Sequence, residues 1–481
     1  MNYSNRNYFV FLIYLISLWL LFNVFWVSQK FDNPTLDQMI FHLQFGLEEA
    51  DFDKSLVTSY LIRCCFYPLL ISTIVLKAKK KMDVLRKTLI RDFLKKTIHL
   101  IPFFLIIFSA VVAICRFNVI GYFRQIPSED VIAKYYIKPG PLTLNDSKQK
   151  NLILIYVESL EKSYSDTKIF DVNLIEPLDH QSGAEIESYI QMPGAGWTMG
   201  GIVSSQCAIP LKSLGLGDGN HQGKLYKSFL PNATCLGDEL YHLGYMNVFL
   251  GGASLKFSGK GKFFRGHGYE KVMGREEWLA TGRYSEKDFN GWGLFDKDIF
   301  AEARAELDQL HRLKKPFNLT VLTVDTHFAN GYMSDKCKAS MGKGKENIEL
   351  VIQCTASEVS EFIDYVRAKG YLEDTNIVIL GDHLFMGGPL TQKLKKIPSR
   401  RIYNKWIGST PAKFNRTKIS HFDIAPTILE YIGVTVPGAR YGLGYSALAR
   451  DNGLPEEGYY DELLLKLNNK SAFYSQFWIK Q

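Results

Sequence analysis

Three short apolar runs in this 481-residue chain each lead into residues able to hold a cation or move a proton. Asn151–Val157 (NLILIYV) precedes Glu158-Ser159, Leu319–Val324 precedes Asp325-Thr326-His327, and Asn376–Leu380 precedes Gly381-Asp382-His383. Glu158, Asp382 and His383 supply two hard oxygens and an imidazole, a donor set suited to Mn2+, Mg2+ or Zn2+. The expected fourth ligand is the hydroxyl of Thr198, in Gly194-Ala195-Gly196-Trp197-Thr198-Met199-Gly200-Gly201. Glycines on both sides let backbone amides approach an anion, and a helix beginning near Thr198 would add positive potential there. A free threonine hydroxyl is a poor nucleophile, and coordination to a metal supplies the missing activation. Each of these residues alone reads equally as a turn or a helix cap. Recurrence at three equivalent places points to a site.

The elements that must position these residues follow from their pattern. A short continuous apolar run is what a strand buried on both faces requires, and another stands at Met246–Leu250. Helical patterns lie between the runs, at Asp298–Leu313, at Ile348–Lys369 ended by Gly370, and at Asp423–Ile432 ended by Gly433. The alternation predicts an α/β domain with a mostly parallel sheet covered by helices. Its ligand site is expected beyond the C-terminal strand ends, where the polar residues stand. There is no internal repeat and no low-complexity segment.

The composition is 46% hydrophobic and 14% aromatic, too apolar for a disordered chain, and the length allows two or three domains. The net charge of +8 is uneven: residues 1–125 hold 15 Lys and Arg against 8 Asp and Glu, leaving the remainder nearly balanced. That placement argues against nucleic-acid binding. Residues 8–27, 56–76 and 98–117 are apolar enough to be transmembrane helices, so residues 1–118 are expected to form a membrane domain. The first run ends in Phe25-Trp26-Val27 with no small-residue cleavage site and reads as a retained span. Loop 77–96 carries nine basic residues, whereas loop 28–55 carries two basic and six acidic ones. The positive-inside rule puts the former in the cytoplasm with the N-terminus, and everything after the third span outside. Arg63 would snorkel outward or face a polar groove used by a lipid headgroup. Leu36–Leu47 reads as an amphipathic helix at the outer interface or as a plain loop helix. Residues 119–149 read as a linker, 150–450 as the catalytic domain and 451–481 as a C-terminal extension.

Cys207, Cys235, Cys337 and Cys354 fall in the outer part, and an even count there suggests two disulfides. Three connectivities are open. A four-cysteine zinc site is the rival, without the short Cys-x-x-Cys spacing it usually has.

The stretches NLILIYVESLEKSY, GWTMGGIVSSQCAIPL, FSGKGKFFRGHGYE, VDTHFANG, LGDHLFMGG and ISHFDIAPTILEYIGV resemble the alkaline phosphatase/sulfatase superfamily. They are most similar to its membrane-anchored phosphoglycerol transferases, of the periplasmic-glucan-modifying type and, less closely, of the lipoteichoic acid synthase type. The resemblance covers roughly residues 150–450. It implies that Glu158, Thr198, Asp382 and His383 hold one divalent metal, often manganese, with Thr198 also the catalytic nucleophile. It implies that His327 contacts the bound phosphoglycerol, and it favours the local disulfides Cys207–Cys235 and Cys337–Cys354. Where the lipoteichoic branch grips phosphoglycerol with a Trp and an Arg, this chain has Lys256, Phe257 and Lys260, of which Lys260 is the candidate substrate contact. Thr198 lacks the Cys/Ser-x-Pro-x-Arg setting of sulfatases, so sulfatase chemistry is not expected. His421, before Asp423-Ile-Ala-Pro, is within sequence reach of the site, but its expected role is a helix start.

The resemblance further implies a multi-pass protein of the bacterial inner membrane with a periplasmic catalytic domain. The expected reaction moves phosphoglycerol from phosphatidylglycerol to a hydroxyl of an extracytoplasmic glycan through phosphothreonine, releasing diacylglycerol. The alternatives are a phosphoethanolamine transferase, a phosphodiester hydrolase and, outside enzymes, an inactive membrane-anchored glycan receptor.

Overall fold

The computed structural model describes residues 3–31, 34–45, 54–84, 88–124, 130–144, 149–213, 228–328, 330–341, 347–409, 412–449 and 455–479. The chain divides into two units, Met1–Met39 with Asp51–Phe123, and Ile40–Ala50 with Arg124–Gln481.

The first unit is helical. Helix α1 is Tyr3–Lys30, and α2, Leu36–Phe45, begins in this unit and ends in the second. Helix α3 (Lys54–Tyr60) runs through a π-turn at Leu61–Phe66 into α4 (Tyr67–Val84), and α5 is Leu89–Arg116. Three stretches are long and apolar enough to cross a membrane: Asn7–Lys30, Leu56–Asp83 and Leu89–Arg116. They extend beyond the expected runs because the basic residues are helical too. Lys77 to Lys81 close α4, and Arg91, Lys95 and Lys96 lie in the first two turns of α5, so the expected 77–96 loop shrinks to a short connection. Arg86 and Lys87 lie outside the described residues. Arg63 donates to Gln29 Oε1 at 2.6 Å, one residue from the end of α1.

The second unit is built on a six-stranded sheet: β1 Asn151–Val157, β2 Met246–Gly251, β3 Lys271–Met273, β4 Phe317–Leu322, β5 Thr375–Gly381 and β6 Asn404–Ile407. The spatial order is β3-β2-β4-β1-β5-β6, all parallel except for β6, which runs antiparallel on β5. The central strand β1 serves two cores, which is why its sequence is almost continuously apolar. Leu152, Leu154 and Tyr156 of β1 enter one core, and Ile153, Ile155 and Val157 enter the other. Both faces are helix-covered: α7 (Asp296–Leu313) and α8 (Ile348–Ala368) belong to the second core, α6 (Thr198–Cys207) and α9 (Ile424–Tyr431) to the first. The strand expected at Leu319–Val324 begins and ends two residues earlier, and Thr323 and Val324 already belong to the loop.

Two expected boundaries are corrected. The 119–149 linker contributes Val131, Ile132 and Tyr135 to the first core, and the 451–481 extension contributes Tyr459, Leu463, Phe477 and Trp478 through α10 (Tyr459–Lys466) and the turn after it. Both are therefore part of the folded unit, because their apolar side chains have no other place to leave water. Helix α2 turns one side inward, with Ile40 and Phe41 buried and Phe41 in the first core, and leaves Leu43 exposed. Leu47 lies outside the described residues. Cys207 is bonded to Cys235, and Cys337 to Cys354.

Candidate active site

Register brings the first two ligands together. Val157 pairs with Gly381 across β1 and β5, so the next residues, Glu158 and Asp382, leave neighbouring strands at the same level. The chain turns sharply at Ser159, whose φ is +56°. The amides of Ser159 and His383 then donate to Asp382 Oδ1 at 2.8 and 2.9 Å, and the Ser159 hydroxyl donates to Glu158 Oε1 at 2.8 Å. His383 Nε2 lies 3.3 Å from Glu158 Oε1 and 3.5 Å from Asp382 Oδ2.

Thr198 is the first residue of α6, following Trp197 in extended backbone. Its Oγ1 donates to Glu158 Oε2 at 3.0 Å. The four residues separated along the sequence thus meet at the N-terminus of a helix, whose unpaired amides favour an anion. Gly201 makes the approach feasible. A Cβ built there would stand 2.0 Å from the Asp382 carbonyl oxygen, so only glycine lets α6 lie against the ligand loop.

The donor set fits a divalent cation. Ligand atoms of Glu158, Asp382 and His383 all lie within 4.8 Å of one another. Asp382 Oδ2 and His383 Nε2 are buried and have no hydrogen-bond partner, a costly arrangement unless something else binds them. The other His383 nitrogen, Nδ1, is 2.9 Å from the Leu384 carbonyl, which assigns the proton to Nδ1 and leaves Nε2 a lone pair for a metal. Without a cation, burial works to raise the Glu158 pKa, but His383 and His327 together outweigh it and keep the carboxyl below its usual range. Burial opposes a proton on His383, yet Asp382 and Glu158 hold its ring protonated with a pKa of about 9; a cation on Nε2 would take that proton's place. For Asp382, burial, reinforced by Glu158, pushes the carboxyl up to about 7. Two carboxylates sharing one small site is the electrostatic problem that a divalent cation removes.

His327 stands at the same rim, buried, with its ring 3.9 Å from that of Trp292. Its Nδ1 is 2.9 Å from the Phe328 carbonyl, which assigns Nε2 as the acceptor. Burial lowers its pKa, partly opposed by Glu158, and favours the neutral ring. Lys260 is buried, and burial lowers its ammonium pKa to about 8, against the pull of Glu158 and Asp382. Asp325, expected on the same rim, turns away. It accepts from Asn290 at 2.7 Å and from the amide of Asp296, in a buried acidic group with Asp296 and Glu358 that fixes the His327 loop from behind. Ala329 of that loop lies outside the described residues.

Several supports had little or no signal in the sequence. His421, in the turn before α9, reaches back with Nε2 2.8 Å from the Asp382 carbonyl, so it steadies a ligand's backbone besides starting a helix. Glu161, fully buried, takes the amide of Phe385 at 2.9 Å and pairs with Arg400, which also donates to the Phe385 carbonyl at 2.8 Å. This pair holds the loop after His383. Gln191 Oε1 takes the Leu384 amide at 2.7 Å. A carboxylate three residues past a suspected ligand was the available hint for Glu161. The partners come from distant segments and leave no local trace.

Comparisons with known proteins bear on the fold and the family. Over 325 residues the chain is 34% identical to a phosphoglycerol transferase I of Salmonella typhimurium, and over 323 residues 33% identical to that of Citrobacter koseri. Each match covers 66% of this chain and 41% of the relative, so the chain aligns with about two fifths of the curated relatives' length. Among solved structures, an alkaline phosphatase superfamily protein from Vibrio parahaemolyticus matches with a TM-score of 0.51 at 18% identity, over 69% of this chain and 82% of the other. A lipoteichoic acid synthase from Listeria monocytogenes matches with a TM-score of 0.50 at 17% identity, over 67% and 81%. These two show the fold. Residues 150–434, which hold the six-stranded sheet, α6 and the loops after β1 and β5, match the sulfatase family, and the chain belongs to the sulfatase family.

Proposed function

We propose that this protein transfers phosphoglycerol from phosphatidylglycerol to a hydroxyl of an extracytoplasmic glycan, by way of phosphothreonine at Thr198. The observation that carries the reading is the Thr198 hydroxyl, on a helix N-terminus and 3.0 Å from Glu158 beside the orphaned Asp382 and His383 atoms. Identity to phosphoglycerol transferase I supports the choice of transferred group. The three membrane-length helices support a lipid donor.

Glu158, Thr198, Asp382 and His383 would hold one divalent cation, Mn2+, Mg2+ or Zn2+. When bound, it supplies positive charge for the phosphoryl oxygens and lowers the pKa of the threonine hydroxyl. In the first step Thr198 Oγ1 forms a bond to phosphorus as the bond to the diacylglycerol oxygen breaks, and that oxygen leaves with the electron pair and takes up a proton. In the second, an acceptor hydroxyl attacks the phosphothreonine and Thr198 recovers its proton. His327, neutral and with Nε2 the accepting atom, suits the role of taking the acceptor's proton. Buried Lys260 places a cation near Glu158 and Asp382, where phosphoryl charge would gather. The α6 amides orient the phosphoryl oxygens.

The test uses the full chain in vesicles containing phosphatidylglycerol labelled in its headgroup. Wild type should release diacylglycerol and carry acid-stable label on threonine. Thr198→Ala should abolish both, a loss of about a thousand-fold or more. Diacylglycerol release at the wild-type rate in Thr198→Ala would dismiss the threonine route. Label found solely as free glycerol phosphate with a glycan present would favour hydrolysis.

A further inference from the structure

Helix α2 ends beside the nucleophile. Residues from Ile40 onward in it belong to the catalytic unit. The Phe41 ring lies 4.8 Å from that of Trp197 and 6.2 Å from that of Phe229. The His42 ring lies 4.4 Å from Trp197, whose next residue is Thr198, and 6.4 Å from Phe257 in nearly parallel orientation. Phe257 is 5.7 Å from Trp292, and Trp292 is 3.9 Å from His327. A continuous wall of rings therefore runs from His42 to the histidine at the catalytic rim. Within that wall, His42 Nδ1 is buried with no hydrogen-bond partner. Burial holds the ring's pKa near 4, so the wall is uncharged there.

An uncharged aromatic wall carrying one unsatisfied ring nitrogen suits a small polyol. C–H groups lie on the rings and a hydroxyl completes the nitrogen. An ammonium can also lie against ring faces, so the discrimination rests on the ring nitrogen, which a neutral hydroxyl satisfies without bringing a charge into a buried, uncharged place. We propose that His42 is a donor-binding residue that takes a glycerol hydroxyl of the headgroup and thereby selects phosphoglycerol over phosphoethanolamine. This rests on the phosphoglycerol reading and adds the residue that chooses the headgroup.

The experiment measures binding by quenching of tryptophan fluorescence, for which Trp197 and Trp292 are placed in the wall. The full chain, metal-loaded and in nanodiscs, is titrated with glycerol 1-phosphate and with phosphoethanolamine. Two variants separate hydrogen bonding from packing. His42→Phe keeps a ring and removes the nitrogen, and His42→Asn puts an amide near the Nδ1 position. The loss of one buried hydrogen bond is expected to weaken glycerol phosphate about ten-fold in His42→Phe. Phosphoethanolamine affinity should stay unchanged, and His42→Asn should remain within about three-fold of wild type for glycerol phosphate. Equal affinity of wild type and His42→Phe for glycerol phosphate overturns the assignment. So does an equal fall for both ligands, which would mean a packing role, or a wild type that does not prefer glycerol phosphate. A His42-dependent glycerol phosphate preference without diacylglycerol release would keep this site and sink the transfer reading, so the two failures are distinguishable.

Discussion

Lys260 carries the most informative titration in the site. Its ammonium is disfavoured by burial, and Glu158 and Asp382 only partly restore it, leaving a pKa near 8 instead of the ordinary 10.5. The amine is therefore charged below about pH 8 and neutral above it. If its charge steadies phosphoryl oxygens, kcat/KM for the donor lipid should decline as pH rises through that value. Lys260→Arg should remove this alkaline limb, because a guanidinium stays charged throughout the range. Lys260→Met should lower kcat/KM at neutral pH by roughly ten- to a hundred-fold and also flatten the limb. A limb that persists unchanged in Lys260→Met would assign it to another group and leave Lys260 a structural role.

At the scale of elements, the site depends on how closely α6 approaches the strand ends, and Gly201 sets that distance. A methyl group at this position would meet the Asp382 carbonyl oxygen, which is itself held by His421. Gly201→Ala must push the helix outward and carry Thr198 with it, and displacements of about an ångström cost on the order of a hundred-fold in rate. Diacylglycerol release in that variant should fall by about that factor while circular dichroism stays native. A wild-type rate would show that the helix has slack. This contact also shows what the sequence could and could not reveal. Glu158, Asp382 and His383 were legible because a strand buried on both faces is mostly apolar and carries no charge, so the first charged residue marks its end. Thr198 was legible from its glycines. The short strands β3 and β6 gave no such run, and His421, Glu161 and Arg400 act through partners far away in sequence. Helix α2 was misleading because its apolar face reads alike whether it meets lipid or protein.

For the whole molecule, the burial of Phe41 in the catalytic core constrains the path of the chain. Phe41 follows the first membrane-length helix, and the rest of its core follows the third. Two candidate spans separate them, and an even number of crossings returns the chain to the same side. The positive-inside reading rests on different residues, the basic ends of α4 and α5, and reaches the same arrangement. The folded core thus requires an even number of crossings between its two pieces, and the side it lies on follows from the charge pattern alone. We expect cysteines introduced at Leu43, 74% exposed on α2, and at exposed Lys470 to react with a membrane-impermeant maleimide in intact spheroplasts, in a background lacking Cys65 and Cys115. Lys80→Cys, on an exposed turn of α4, should react only after permeabilisation. Labelling of Lys470→Cys without Leu43→Cys would place the two pieces of the catalytic unit on opposite sides. The ring wall at Thr198 could not then form in the cell, and the headgroup selection assigned to His42 would fall with it.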